Sequence, residues 1–177
     1  MHSFDKTLLA RLGFQDPDRK ESKHSLACQY LCRENVAAKV WRHFFDADFV
    51  EDKVECGQEV CLTKGQHQYL SIVGFLDVVL HSRQRKVDVV IEVKIGRVDV
   101  AEIARQMEVY RQFIYQQSSG PVFDEVRWLV VAPWQFHPEE KQLLKSKGVE
   151  TLRLGAAFDA YCVERAKAKP DFDEEPL

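Results

Sequence analysis

Three charged residues interrupt two apolar stretches whose composition is typical of buried strands. Asp77 lies in GFLDVV, and Glu92 and Lys94 lie in VIEVKI; fourteen residues separate Asp77 from Glu92. An unpaired carboxylate is expensive to bury, so it normally pairs with a cation or binds a metal ion. Two carboxylates beside a backbone carbonyl make a hard oxygen site, which suits Mg²⁺ or Mn²⁺ rather than a soft metal.

The spacing of these residues indicates that they act together. Side chains alternate along a strand, so Glu92 and Lys94 point to one face. A neighbouring strand in the matching register would bring Asp77 to Glu92, and the carbonyl of Val93 would supply a third oxygen. A metal, with a lysine that orients water, is what phosphodiester hydrolysis requires. The alternative is an ion pair of Lys94 with Asp77 or Glu92 at a sheet edge, without function.

Polar residues on two predicted helices extend this set. Gln106 and Tyr110 are four residues apart and share a helical face over the same sheet. Gln106 would contact the lysine, a phosphate or the metal water, whereas core packing is an equally open interpretation for Tyr110. Glu34, on the first helix, would add a metal ligand or hold its water. A solvated surface glutamate is the alternative, and Glu21 is the second choice.

The elements that must position these residues follow from hydrophobic periodicity. Helices are predicted from Lys23 to Asp46, from Asp99 to about Gln117, over HPEEKQLLKSKG and over GAAFDAYCVERAKAK. Strands are predicted in FVEDKVECGQEVCLT, YLSIVGFLDVVLH, VDVVIEVKIG, Val126–Ala132 and VETLRL. Three sequential strands followed by β–α–β units predict an α/β fold, with a mixed sheet flanked by helices on both faces.

Chain length, composition and charge constrain the domain organisation and the kinds of partner. The 177 residues suit a single domain spanning 1–177, with its core at about 22–154 and a frayed acidic tail at 170–177. No stretch has the roughly 18 apolar residues that a membrane span needs, and no signal peptide is evident, so a cytoplasmic protein is expected. The net charge is −3; without the four acids of the tail, 25 basic residues face 24 acidic ones. Polyanion contact must therefore come from a local patch.

Five cysteines without a CxxC pair predict reduced thiols and no zinc site. Several basic residues lie where they would contact phosphates, and Arg97, just after the Glu92–Lys94 strand, is the best placed. Arg105 on the following helix is a further candidate. Trp134, in a loop after a buried strand, would stack on a base. Plain solvated surface and packing against the domain are the respective alternatives.

A helical Glu, then an Asp followed by ExK, then QxxxY on the next helix, in αβββαβ order, resembles the PD-(D/E)XK nuclease superfamily. The QxxxY element is similar to the RecB, AddB and lambda-exonuclease branch. The resemblance covers about Glu34 to Ala132 and implies a restriction-endonuclease-like fold. It departs from the pattern at Leu76, where the family often has proline, and in lacking the four cysteines of an iron–sulfur cluster.

The resemblance implies an Mg-dependent nuclease, with Mn substituting, that cleaves DNA and, less often in the family, RNA. By this resemblance Asp77 and Glu92 would bind the metal, Lys94 would be the catalytic lysine, and Glu34 would be an accessory acid. Gln106 and Tyr110 become the auxiliary motif. A role in DNA processing, repair or defence is expected. The alternative is a nuclease-like DNA-binding or regulatory subunit that acts only with a partner protein, and a homodimer also remains open.

Overall fold

The computed structural model describes residues 22–64, 71–117 and 125–168. Ten elements follow one another: α1 (Lys23–Leu31), α2 (Glu34–Phe45), β1 (Val54–Lys64), β2 (Ser71–Ser82), β3 (Val87–Val93), α3 (Val100–Gln117), β4 (Glu125–Ala132), α4 (Pro138–Ser146), β5 (Val149–Arg153) and α5 (Ala156–Ala168). Glu21 and the acidic tail at 170–177, both singled out in the sequence, lie outside the described residues. In the three described ranges no helix is long and apolar enough to cross a membrane.

The five strands form one mixed sheet in the order β1-β2-β3-β4-β5. The β1–β2 and β2–β3 pairs are antiparallel, whereas β3–β4 and β4–β5 are parallel. Parallel neighbours need a crossover connection, and α3 and α4 supply the two crossovers. The expected α/β fold with a mixed sheet flanked by helices is confirmed.

Two apolar layers cover the two faces of the sheet. The α1 layer packs α1, α2 and α5 on β2 and β3; its buried members include Leu31, Trp41, Phe158, Val78, Leu80, Val89, Ile91 and Val93. The α3 layer packs α3 and α4 on the other face and includes Ile103, Met107, Leu144, Leu76, Val90 and Val130. Full burial of each such side chain stabilises the fold by about 1.5–3 kcal/mol, so the layers fix the sheet between the helices.

Along strand β2, the even-numbered residues change from one apolar layer to the other. Val78 and Leu80 belong to the α1 layer, but Leu76 belongs to the α3 layer. Regular alternation would keep all three on one face, so the phase shifts at Asp77. Across the ladder, Glu59 lies between the residues paired with Val78 and Leu76 and has a φ of 47°. Asp77 therefore occupies the point where the pleat of the strand is interrupted.

Two sequence predictions about the amino-terminal half are wrong. The single helix from Lys23 to Asp46 is two helices, because Arg33 adopts an extended conformation with ψ of 131° and begins a new helix. The cysteines are not all reduced, because Cys32 and Cys56 form a disulfide that joins the end of α1 to β1. Cys28 and Cys162 are free. Ser22 caps α1 by accepting the backbone N–H of Ser25, and Asp99 accepts the backbone N–H of Ala101 at the start of α3.

Candidate active site

The site lies where the β2–β3 ladder ends. The last paired residues are Val78 and Ile91. One residue further on, Asp77 and Glu92 stand opposite each other, and Asp77 Oδ2 accepts a hydrogen bond from the backbone N–H of Val93 at 2.7 Å. The backbone N–H of Lys94 donates to Val131 on β4 at 2.9 Å. A trans peptide directs its carbonyl opposite to its N–H, so the Val93 carbonyl is directed away from β4, towards the Asp77 side.

Glu92 is a buried carboxylate with one unpaired oxygen. The residue is 3% exposed, and its Oε1 accepts a hydrogen bond from Lys94 Nζ at 2.6 Å. Its Oε2 is buried without a hydrogen-bond partner. Burial, and then the nearby charge of Asp77, raise the pKa of the Glu92 carboxyl, while Lys94 and, more weakly, the nearby Gln106 amide oppose the rise. A buried acceptor without a hydrogen-bond partner destabilises the folded protein by about 1–3 kcal/mol, so a cation bound to Oε2 would stabilise it.

A hydrogen-bonded chain runs from Glu92 into helix α3. Lys94 Nζ also donates to Gln106 Oε1 at 2.8 Å, and Gln106 Nε2 donates to the Tyr110 hydroxyl oxygen at 2.7 Å. Burial, and more weakly the charges of Glu92 and Asp77, raise the pKa of Tyr110. The structure therefore brings together the residues predicted from the D…ExK and QxxxY patterns.

His24 on α1 reaches the same site and was not predicted. Its Nε2 lies 3.2 Å from Asp77 Oδ2, and its Nδ1 lies 3.9 Å from the sulfur of Cys28. The hydrogen bond to Asp77, followed by that to Cys28, raises the pKa of His24 to about 10. The signal in the sequence is a histidine in the first turn of a helix that packs on the sheet, whereas the prediction for this helix named only acids.

Glu34 does not join the cluster. It begins α2, where it is exposed, and it makes no hydrogen bond or ion pair with any described residue. The break at Arg33 explains the difference, since Glu34 begins a separate helix, whereas His24 lies on α1, which packs closely on β2 and β3.

The predicted substrate-contact residues are engaged with acidic partners. Arg97 donates to Glu140 at 2.6 Å, and its guanidinium carbon lies 5.7 Å from the ring centre of Trp134. Arg105 pairs with Glu102 on the surface of α3, with Nε at 2.9 Å from Oε2. Arg97 and Trp134 thus form one unit just after the carboxyl ends of β3 and β4, whereas Arg105 belongs to a solvent-exposed pair.

The donor set fits a hard divalent cation. Asp77 and Glu92 are adjacent carboxylates of which one oxygen lacks a partner, and the Val93 carbonyl is directed to the same side. Oxygen ligands of this kind suit Mg²⁺ or Mn²⁺. Within residues 22–64, 71–117 and 125–168, no group of three or more His, Cys, Asp or Glu side chains is placed to hold a metal ion. The fit therefore depends on the two carboxylates with a backbone oxygen and water.

Comparison with known proteins returns no relative: no family model, no curated protein and no solved structure matches this chain.

Proposed function

We propose that this protein is a metal-dependent deoxyribonuclease that hydrolyses DNA phosphodiester bonds. The observation that carries the proposal is the buried Glu92 carboxylate, which holds a lysine on one oxygen and leaves the other without a partner beside Asp77. A purely structural ion pair would satisfy both oxygens, because a buried unpaired acceptor destabilises the fold.

The order of elements supports a restriction-endonuclease-like core of the PD-(D/E)XK type. Helix, three antiparallel strands, crossover helix and parallel strand run in the αβββαβ order that the sequence resemblance implies. Asp77 and Glu92 lie on adjacent antiparallel strands, Lys94 directly follows the end of β3, and the QxxxY residues lie on the crossover helix. Glu34 is not part of the proposed site. His24, on α1, is the residue that the amino-terminal helices contribute in its place.

The groups that would hold the ion are Asp77, Glu92 and the Val93 carbonyl. His24 contacts Asp77, with Nε2 3.2 Å from Oδ2. When bound, Mg²⁺ supplies Lewis-acid stabilisation of phosphate charge and lowers the pKa of water. Glu92 has two roles in this proposal. Its Oε1 holds Lys94 in place, and its Oε2 is available as a ligand for the ion. The low exposure of Glu92 strengthens each of these electrostatic contacts.

Lys94 orients the attacking water and stabilises the developing negative charge in this proposal. Its ammonium group has three N–H bonds, two of which are directed at Glu92 and Gln106. The third is left for water or a phosphate oxygen. Gln106 is in turn held by Tyr110, so the direction of that third donor is fixed before substrate arrives, which is the preorganisation that electrostatic catalysis needs.

DNA is the substrate that we assign, with Arg97 and Trp134 as its contacts beside the catalytic residues. Arg97 would exchange Glu140 for a phosphate oxygen, and the indole would support a base or the end of a strand. A role in DNA processing, repair or defence is part of this proposal.

A second candidate is a nuclease-like subunit that acts only with a partner protein. The specific observation in its favour is that the two arginines predicted to bind phosphate already hold carboxylates, Arg97 with Glu140 and Arg105 with Glu102. A protein with few unpaired basic side chains near its active site binds DNA weakly on its own. Weak dependence of DNA binding on salt would favour this candidate, because the slope counts phosphate contacts.

The direct test is cleavage of linear, circular and single-stranded DNA by the purified protein with Mg²⁺, with Mn²⁺ and with EDTA. We expect cleavage with either metal and none with EDTA. Lys94→Gln removes the ammonium group and shortens the side chain by one atom, so it should abolish cleavage. Because buried Glu92 loses its cation, the Tm should also fall by a few degrees, and cleavage is therefore compared well below the Tm of the variant. Lys39→Gln, the same substitution at an exposed helix position, is the matched control and should cleave normally. Undiminished cleavage by Lys94→Gln would refute the mechanism.

A further inference from the structure

Glycine at position 74 of β2 is unexplained by backbone conformation. Among the described glycines only Gly148 has a positive φ, so the backbone of residue 74 is one that alanine adopts without strain. Glycine inside a strand weakens it, and its presence there often marks a close approach by another part of the chain. The reason for Gly74 must therefore be space.

The space at Gly74 is taken by Tyr110. A Cβ atom added to Gly74 would lie 3.1 Å from Tyr110 Cε1 and 3.5 Å from the hydroxyl oxygen. A distance of 3.1 Å is too short for two carbon atoms, whose best separation is about 3.5–4.0 Å. At Gly96, in contrast, an added Cβ would meet nothing within 4 Å. The missing side chain of Gly74 thus forms a slot in the sheet that fits the tyrosine ring.

The tyrosine in this slot is the far end of the chain that holds Lys94. Its hydroxyl accepts from Gln106, whose Oε1 accepts from Lys94 Nζ. Relief of the contact with an added Cβ moves the ring by a few tenths of an ångström, which lengthens the first of these hydrogen bonds and weakens the second. Because misplacement by about 1 Å at a catalytic group reduces rates roughly 10²-fold, this smaller shift should reduce the rate roughly 3- to 10-fold.

We infer that Gly74 is a positioning residue, because the absence of its Cβ seats Tyr110 against β2 and so lets Gln106 fix the direction of Lys94. The inference rests on the proposed nuclease function for its catalytic consequence. It separates two properties of Tyr110: the ring fills the slot, whereas the hydroxyl carries the effect to the lysine.

This separation sets the experiment, in which Gly74→Ala is made in three backgrounds. With Tyr110 intact, it should lower the single-turnover cleavage rate roughly 3- to 10-fold at an unchanged half-saturating DNA concentration and lower the Tm by a few degrees. In Tyr110→Phe the ring still clashes, so the Tm falls again while the rate changes less than about twofold, because the hydroxyl is already gone. In Tyr110→Ala neither value changes.

Gly96→Ala is the control glycine substitution and should lower neither value. A readout independent of cleavage is the acetylation rate of Lys94, followed by mass spectrometry against that of the exposed Lys39. Two hydrogen bonds and a side chain that is 18% exposed protect Lys94 in the wild type. Gly74→Ala and Tyr110→Phe should both raise its acetylation rate severalfold.

Equal loss of rate in all three backgrounds, or an unchanged Lys94 acetylation rate in Gly74→Ala, would overturn the inference. Failure of the proposed function gives a different pattern. A wild-type protein that cleaves no DNA, but in which Gly74→Ala raises Lys94 acetylation and its effect on Tm depends on the Tyr110 ring, refutes the nuclease proposal alone.

Discussion

Replacement of Glu92 by glutamine tests the metal site most directly. The side chain keeps its shape, and Oε1 can still accept from Lys94, but the negative charge is lost and Oε2 becomes an N–H₂ donor. Glu92 Oε2 lacks a partner in the folded protein, which costs about 1–3 kcal/mol. A cation that binds this oxygen removes that penalty. For a chain of this size each kcal/mol corresponds to about 2–4 °C in Tm, so saturating Mg²⁺ should raise the wild-type Tm by roughly 2–12 °C.

The assay is thermal unfolding with EDTA, with Mg²⁺ and with Mn²⁺ at matched ionic strength. Glu92→Gln should show no rise with either metal. Glu164→Gln, at an exposed position of α5, is the same substitution away from the site and should keep the full response. Equal Mg²⁺ stabilisation of the wild type and Glu92→Gln would refute the reasoning, since the ion would then bind elsewhere.

The same pair of proteins has a predictable pH dependence without metal. Burial raises the pKa of Glu92 in the folded state above its unfolded value. A carboxyl with a raised pKa contributes stability below its unfolded value, and this contribution is lost as the pH rises through the folded value. The stability of the wild type relative to Glu92→Gln should therefore fall as the pH increases above about 4.3, the ordinary value for glutamate. A flat difference would show that burial does not raise the pKa of Glu92 in the folded protein.

The remaining predictions concern α1 and its disulfide. The pKa of His24 is raised to about 10 by its bond to Asp77, so its stabilisation is complete below the unfolded value of about 6.5 and is lost as the pH rises to 10. His24→Gln should remove this pH-dependent component from urea unfolding curves, and an unchanged profile would contradict the assignment. The Cys32–Cys56 disulfide closes a loop with a sequence separation of 24. Cys32→Ser/Cys56→Ser should therefore lose about 3 kcal/mol under non-reducing conditions, and an unchanged urea midpoint would contradict this.

The parts of the fold that could be predicted are those encoded by local periodicity. Alternation in VDVVIEVKIG correctly separates Val89, Ile91 and Val93, which pack in the α1 layer, from Val90 and Glu92 on the other face. The four-residue spacing of Gln106 and Tyr110 correctly places both over Lys94, because α3 directly follows the strand. Short-range geometry dictates these outcomes, so they can be read from the residues.

The features that were missed depend on contacts between distant segments. No glycine or proline marks the break between α1 and α2, and helix-forming residues flank Arg33 on both sides, so the pattern looks continuous. The break turns α2 along a new direction, which removes Glu34 from the site and leaves His24 as the contribution of α1. The Cys32–Cys56 pair likewise becomes visible only once the end of α1 is seen beside β1.

The interrupted pleat of β2 at Asp77 has a consequence for how this chain can vary. Before the interruption the even-numbered residue Leu76 faces the α3 layer, whereas after it Val78 and Leu80 face the α1 layer. Insertion or deletion of a single residue beside Asp77 would exchange the layers that the neighbouring side chains face and turn the Asp77 carboxylate away from Glu92. Exchange of one aliphatic side chain for another of similar volume leaves that arrangement intact. For the aliphatic residues of this strand, therefore, spacing is constrained more tightly than identity.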